Sequence, residues 1–131
     1  IKESTGDIQR MHHLRKELGE EAAFYNGSNP LALAAFSAGA SGWCTAAPNL
    51  LGQRPQQLIE HVKNGELEHA QNSFYQQLPL LRFIVNGGLP KTIKAGLQLK
   101  GVSAGLPRKP LSKATDIELN QLKQLFSEIE N

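Results

Sequence analysis

The spacing of apolar residues changes once along the chain. In the first part, three short segments are candidates for strands or strand ends, at 1–2, 22–25 and 42–46, and each is followed by a turn or loop. Helical spacing follows the first two of these segments, at 8–18 and at 31–38. Strands that alternate with helices predict a parallel sheet with crossover helices, and nearly continuous apolar strands indicate that both faces are covered.

From Pro55 onward, every long segment has the spacing of a helix. We predict a helix over 56–63, a longer helix that begins near Leu67, and a helix from Pro90 to Gly101. A last helix after residue 115 carries an apolar stripe, whose members are Leu119, Leu122, Phe126 and Ile129. Residues 47–52 and 102–114 are predicted to be loops. This change divides the chain into an α/β segment, 1–63, and a helical segment, 64–131.

The residues at two helix ends leave alternatives open. Thr5 or Asp7 can cap the first helix, and Thr115 or Asp116 can cap the last, because all four have side-chain oxygens that accept from free backbone N–H groups. Gly19 is the predicted end of the first helix.

Composition and charge exclude several classes of protein. The 131 residues carry a formal net charge of +2, from 14 basic and 12 acidic residues that are spread along the chain, so neither nucleic acid nor an anionic membrane is an expected partner. Cys44 is the only cysteine, which excludes an intrachain disulfide and is typical of a reducing compartment. No apolar run reaches 18 residues and no signal peptide is recognisable. We therefore expect a cytoplasmic protein.

Two or three parallel strands with their helices cannot close a fold, because the sheet edges stay unpaired. We therefore expect that residue 1 is not a natural N-terminus, or that a second polypeptide completes the fold.

The candidate chemistry lies where the predicted strands end. In parallel α/β folds, functional groups occupy the loops after the carboxyl ends of strands. Lys2, Gly27 and Cys44 stand at these positions and should share one rim, together with residues 3–5, 28–29 and 45–46. A lysine at the end of a buried strand would be desolvated, which favours the free amine, and a free amine can attack a carbonyl carbon to form a Schiff base. Position alone also allows Lys2 to be a solvated residue beside the loop.

Other candidates carry weaker signals. The Cys44 thiol has no neighbouring histidine in the sequence, so packing is its expected role. The histidine pairs, His12 with His13 and His61 with His69, lack the spacing of metal ligands on one helix face, and no metal site is predicted. The glycine pair at 87–88 has no preceding strand and no following GK[ST], so it is interpreted as a helix end rather than a phosphate loop.

Four ordered segments resemble one enzyme family. They are IKESTGD, FYNGSNPLAL, AGASGWCTAAPNLLG and GGLPKTIKAGLQLKGVSAGLPRKPL. Together they resemble the C-terminal half of the dihydrodipicolinate synthase / N-acetylneuraminate lyase superfamily of Schiff-base class I aldolases. The resemblance implies an α/β fold in which 1–63 is the C-terminal part of a (β/α)8 TIM barrel, strands 6 to 8, and 64–131 is a C-terminal helical region.

The resemblance also implies a role for each rim residue. Lys2 would be the Schiff-base lysine, and Ser4 would supply a hydroxyl that reaches the substrate. Gly27 would bring backbone close to the bound keto acid, and the main chain of Cys44 would line the pyruvyl group. Positions that vary with the second substrate correspond to Ser28, Asn29 and Ala46. The family's proton-relay tyrosine and its carboxylate-binding Thr-Thr pair are expected upstream of residue 1.

The reaction implied by the resemblance is an aldol-type condensation of pyruvate, a 2-oxo acid, with an aldehyde such as aspartate semialdehyde, as in lysine biosynthesis. No metal or organic cofactor is implied, and the expected assembly is a homotetramer built as a dimer of dimers. Alternatives are a dehydratase or deaminase of the same superfamily, acting on a hydroxypyrroline carboxylate or a deoxy keto acid, and a non-catalytic half-barrel that serves as a binding subunit.

Two departures from the family pattern bear on the second substrate. NGSNP lacks the acidic residues that the family's turn has at this point, which argues against sialate cleavage because a polyhydroxylated substrate would lose hydrogen-bond partners. Trp43, Cys44 and Pro48 make the rim more apolar than in the lysine-pathway enzymes.

Overall fold

The computed structural model describes residues 1–130. Three short strands, β1 (Lys2–Glu3), β2 (Tyr25–Asn26) and β3 (Gly42–Trp43), form one sheet in the order β1-β2-β3. Both strand pairs are parallel. The helices bear out an α/β arrangement in the first half and a helical second half. Their bounds are α1 Ile8–Leu18, α2 Ala32–Ser37, α3 Pro48–Leu51, α4 Arg54–Lys63, α5 Leu67–Asn86, α6 Leu89–Leu99 and α7 Asp116–Glu130, with a 3₁₀ turn at Asn29–Leu31 before α2.

The prediction of a loop over 47–52 was wrong. Residues 48–51 form α3, with Pro48 in its first turn, where the missing N–H costs no helical hydrogen bond. Ala47, Leu50 and Leu51 are buried in the core. Burial of these apolar side chains stabilises a helix too short to be recognised from its spacing.

The strands are displaced from the apolar runs that predicted them. The run at 22–25 overlaps β2 only at Tyr25, and the run at 42–46 leaves its last three residues outside β3. Phe24 is buried although it lies outside the strand. An apolar run reports burial, whereas a strand is defined by backbone pairing, and the two coincide only in part.

The open alternatives at the helix ends are decided by hydrogen bonds. Asp7 caps α1, because its Oδ1 accepts from Gln9 N–H at 2.9 Å. Thr115 precedes α7 and forms a reciprocal capping box with Glu118: Glu118 N–H donates to Thr115 Oγ1 at 3.2 Å, and Thr115 N–H donates to Glu118 Oε2 at 2.8 Å. Gly19 ends α1 as predicted, and its N–H donates to Arg15 O.

One large core joins the two halves of the chain. Buried residues before residue 64 and after it belong to the same cluster, and α4 packs against α5. The predicted stripe of α7 contacts this core, with Leu122 and Ile129 buried and Leu119 and Phe126 partly buried. The helical segment is therefore packed directly behind the α/β segment. The division at residue 63 stays a prediction.

An ion pair between α6 and α7 generates a prediction about stability. Lys91 Nζ lies 2.5 Å from Glu118 Oε1, and both side chains are about three-quarters buried. The Lys91 hydrogen bond, followed by the backbone N–H of Thr115, holds the pKa of Glu118 below its ordinary value. Because the folded-state pKa is lowered, this stabilisation is present above the unfolded carboxyl pKa and is lost as the pH falls through the folded pKa.

We expect Glu118→Gln to lower the free energy of unfolding of the full-length protein by about 0.5–1 kcal/mol at pH 7, since glutamine keeps the capping box but not the charge. The difference from the unmodified protein should begin to shrink as the pH falls below the unfolded carboxyl pKa of about 4.3, and it should vanish only below the lowered folded-state pKa. Denaturant unfolding at several pH values measures the free energy of unfolding and its dependence on pH. Glu17→Gln, at an exposed position of α1, is the matched control and should change neither of these. A loss that is the same at pH 3 and pH 7 would contradict the ion-pair explanation.

Candidate functional site

The carboxyl ends of the three strands lie side by side at one edge of the sheet. Lys2 pairs with Tyr25, and Tyr25 with Gly42, so these three residues face the same side, as do the residues two positions further along each strand. That side therefore carries Lys2, Ser4, Gly27 and Cys44. This arrangement confirms the prediction that the three strand ends share one rim.

The opposite face of the sheet is buried and orders the loops. Glu3 is 5% exposed, and its Oε1 accepts from Thr5 N–H at 3.1 Å and lies 3.4 Å from Arg10 Nε. Asn26 is fully buried, with its side chain hydrogen-bonded at both ends to the backbone of Ser28, at 2.9 Å each. Glu3 and Asn26 thus hold the loops after β1 and β2 without facing the rim themselves.

Gly27 allows the Lys2 side chain to cross the sheet edge. A Cβ added at Gly27 would lie 1.9 Å from Ser4 Oγ and 2.9 Å from Lys2 Cε. Gly27 N–H also donates to Glu3 O at 2.6 Å, which holds the two backbones close together. A side chain at position 27 would therefore force Ser4 and Lys2 to shift.

The strand position of Lys2 predicts a buried side chain, and the structure does not bear this out. Its side chain is exposed, because β1 has a neighbouring strand, β2, on one side only. The Cys44 thiol is also free and exposed rather than packed, since β3 ends one residue before it.

The loop after β3 is tied to the loop after β2. Thr45 Oγ1 donates to Asn29 Oδ1 at 2.7 Å and accepts from Ala47 N–H at 2.9 Å. Asn29 is 4% exposed and begins the 3₁₀ turn. Asn49, the last residue of the family-like segment in this loop, donates its side-chain N–H to Ala46 O at 2.9 Å. These bonds give both loops a defined shape.

A concavity of about 410 Å³ opens on this rim. Five of the seven predicted site residues line it, namely Lys2, Gly27, Asn29, Cys44 and Ala46. Ser4 lies beside them against Gly27, whereas Ser28 does not line the concavity and its hydroxyl lies on the side of Gly6. The remaining lining residues are Thr45, Val85 and Leu89.

Sequence reasoning missed several of these contributions. Thr45 was placed on the rim but given no role, although a hydroxyl in a loop after a strand is a signal for a local hydrogen bond. Val85 and Leu89 come from the end of α5 and the start of α6, about forty residues further along the chain. Their exposure, 51% and 45%, leaves them free to face a ligand, but nothing in the helical spacing indicates that they reach the rim.

His61, His69 and Gly87 have structural partners. His61 Nδ1 lies 2.5 Å from Glu66 Oε2, which lowers the pKa of Glu66, and the His61 ring stacks on His69 at 5.5 Å. Within residues 1–130, no group of three or more His, Cys, Asp or Glu side chains is arranged to hold a metal ion. Gly87 ends α5 as predicted, donating its N–H to Phe83 O at 2.8 Å.

Within residues 1–130, no helix has the length and apolar character needed to cross a membrane.

Known proteins with a similar sequence align with nearly all of this chain. A sequence model of the dihydrodipicolinate synthetase family matches residues 1–129. The chain is 30% identical to 4-hydroxy-tetrahydrodipicolinate synthase 2 of Halalkalibacterium halodurans over 129 residues, and 33% identical to a 4-hydroxy-tetrahydrodipicolinate synthase of Thermosynechococcus vestitus. Each alignment covers 98% of this chain and 44% of the relative, so the chain spans less than half the length of these proteins.

Solved structures are also similar to this chain, and the chain again covers less than half of each. A crystal structure of a dihydrodipicolinate synthetase candidate from Pseudomonas aeruginosa superposes with a TM-score of 0.95 and 54% identity, over 98% of this chain and 44% of that one. N-acetylneuraminate lyase from Fusobacterium nucleatum, solved with pyruvate, superposes with a TM-score of 0.85 and 28% identity, over 99% of this chain and 44% of that one.

The close approach at Gly27 generates a prediction. Gly27→Ala should lower the free energy of unfolding of the full-length protein by about 1–3 kcal/mol, because the new methyl group overlaps Ser4 and Lys2. The variant should also change the rate at which an amine reagent labels Lys2, since the lysine is displaced. Thermal unfolding and peptide mass spectrometry after labelling measure the two effects.

The control for this prediction keeps the new methyl group at position 27 but removes the Ser4 side chain that it overlaps. Ser4→Gly combined with Gly27→Ala takes away the nearer of the two contacts and should recover part of the stability. A Gly27→Ala protein with unchanged stability and labelling would show that the strands are further apart than described here.

Proposed function

The chain belongs to the dihydrodipicolinate synthetase family, and on that premise we propose that it supplies the Schiff-base lysine of a pyruvate-dependent aldol-type lyase or synthase. The observation that carries the proposal is the position of Lys2, which lies across Gly27 and lines a concavity at the carboxyl ends of three parallel strands. Primary amines of this kind are the groups that enzymes use to activate carbonyl substrates without a cofactor.

The proposed fold of the complete protein is a (β/α)8 barrel. In it, β1, β2 and β3 correspond to strands 6, 7 and 8, and residues 64–131 form the helical region after the barrel. Support comes from the parallel order of the strands and from structures of family members that superpose on 98–99% of the chain. In such a barrel, a further strand on the open edge of β1 would reduce the exposure of Lys2.

The proposed reaction uses Lys2 as nucleophile and electron sink. Its neutral Nζ attacks the keto carbon of pyruvate, and the adduct loses water to give a protonated Schiff base. Loss of a proton from the adjacent methyl carbon moves an electron pair into the iminium, and the resulting enamine carbon attacks the aldehyde carbon, whose oxygen takes up a proton. Water then releases the product and restores the amine.

The neighbours of Lys2 have defined parts in this scheme. Gly27 N–H is engaged by Glu3 O, so Gly27 would meet the keto acid with its Cα and carbonyl group. The main chain of Cys44 and the small side chain of Ala46 would border the same space. The pyruvate complex of the Fusobacterium nucleatum lyase and the names of the synthase relatives support pyruvate as the first substrate and an aldehyde such as aspartate semialdehyde as the second.

Borohydride reduction tests the proposed function. With pyruvate present, the full-length protein should gain one reduced pyruvyl adduct on the peptide that contains Lys2, because borohydride converts the Schiff base into a stable amine. Lys2→Arg should abolish the adduct and lower kcat by a factor of about 10³ or more, since arginine keeps the charge but cannot form the imine.

Lys16→Arg, at an exposed position of α1, is the matched control and should leave adduct formation unchanged. An adduct on a different lysine, or turnover that persists after Lys2→Arg, is the result that would refute the assignment.

A further inference from the structure

We propose that Tyr25 is a positioning residue for Lys2. Its aromatic ring, held over Gly42, fills the space beside the lysine and leaves the lysine side chain one path, across Gly27. The inference rests on the proposed function and deepens it, because it names a residue that acts on the Schiff-base lysine without meeting the substrate. The ring, and not the phenol oxygen, is the part that acts.

Lys2 and Tyr25 stand next to each other in one row across the sheet. The register pairs Lys2 with Tyr25, and Tyr25 with Gly42, so all three residues face the same side. Neighbouring strands lie about 4.8 Å apart, and the two side chains leave the backbone at about that distance from each other. The lysine stem and the tyrosine ring therefore compete for the same space on this face.

The tyrosine ring leans away from the lysine. A Cβ added at Gly42 would lie 2.8 Å from both Cδ1 and Cε1 of Tyr25, so the ring covers Gly42 on the side away from β1. The Lys2 side chain passes over Gly27, where an added Cβ would lie 2.9 Å from Lys2 Cε. Each of these two long side chains thus lies over a glycine of the next strand.

Space for a neighbouring side chain, rather than backbone conformation, is what glycine provides at positions 27 and 42. Neither Gly27 nor Gly42 has a positive φ angle, so their backbone conformation is open to any residue. A methyl group at position 42 would displace the Tyr25 ring from β3. The neighbouring space on this face is the path of the lysine, so the displaced ring would move the lysine amine.

Tyr25 acts from outside the concavity that Lys2 lines. Gly27 and Cys44, which stand one row further along the strands, line the concavity, whereas Tyr25 does not. The ring therefore restricts the lysine from beneath and does not meet a ligand. This restriction matters for the rate, because a displacement of about 1 Å from the reactive geometry can slow a reaction about 10²-fold.

The test measures how fast pyruvate forms an imine on Lys2 of the full-length protein, by stopping the reaction with excess borohydride at several pyruvate concentrations. Gly42→Ala should lower the maximum rate about tenfold or more, because the displaced ring moves the amine. Tyr25→Ala should lower it about three- to tenfold, because the lysine gains orientations that do not reach pyruvate. The pyruvate concentration that gives half the maximum rate should stay within about twofold in both variants, since neither change removes a contact with substrate.

A double variant separates this role from a general loss of structure. Adding Gly42→Ala to the Tyr25→Ala protein should lower the rate no further, because no ring is left to displace. Tyr25→Phe keeps the ring and should recover the rate that Tyr25→Ala loses. Tyr75→Ala removes an exposed tyrosine ring from α5, and as the matched control it should leave the rate unchanged.

Four results would overturn this inference alone. They are additive effects of the two alanine substitutions, a Tyr25→Ala protein with the unmodified rate, a Tyr25→Phe protein as slow as Tyr25→Ala, and a loss confined to the half-saturating pyruvate concentration. The comparison of Tyr25→Ala with Tyr25→Phe decides the question even where Gly42→Ala does not fold. Failure of the unmodified protein to trap pyruvate on Lys2 would overturn the proposed function, and this inference with it.

Discussion

The close pairing of β1 with β2 is the constraint on which the candidate site depends. The bond from Gly27 N–H to Glu3 O, 2.6 Å long, sets the distance between the two strand ends. At that distance the face above Gly27 has room for the side chains of Lys2 and Ser4 only because position 27 has no Cβ. The position of the Lys2 side chain therefore depends on the backbone pairing of β1 with β2. A change that separates these strands would also move Lys2.

The two faces of the sheet have different roles at the strand ends: the buried face orders the loops, and the open face carries the candidate reactive groups. Glu3, Asn26 and Trp43 share the face opposite Lys2, and the first two bind the backbone of the loops that follow their strands. Burying a polar group is unfavourable unless it is hydrogen-bonded, so the bonds of Glu3 Oε1 and of the Asn26 amide favour these loop conformations. The open face can then carry reactive or exposed groups, such as the Lys2 amine and the Cys44 thiol, without supplying stability itself.

How much of this could be predicted from the sequence depends on the range of each interaction. Local signals succeeded: helical spacing located α1, α5 and α7, and the strand ends placed Lys2, Gly27 and Cys44 on one rim. The short helix α3 was missed because four residues are too few to show a period. Val85 and Leu89 were missed because their place beside Lys2 results from the packing of α5 behind the sheet, and no local pattern encodes that contact. Lys2 proved more exposed than its strand position predicts, since burial at a sheet edge depends on a neighbour and not on the strand's own residues.

The hydrogen bond between Thr45 and Asn29 shows that the shape of the rim depends on pairs of loops. Asn29 follows β2 and Thr45 follows β3, and the 2.7 Å bond between their side chains joins the two loops. The parallel register of β2 and β3 keeps these loops adjacent, so a substitution in one loop can change the conformation of the other. The strands that hold Lys2 could thus remain unchanged while substitutions in the neighbouring loops alter the shape of the concavity.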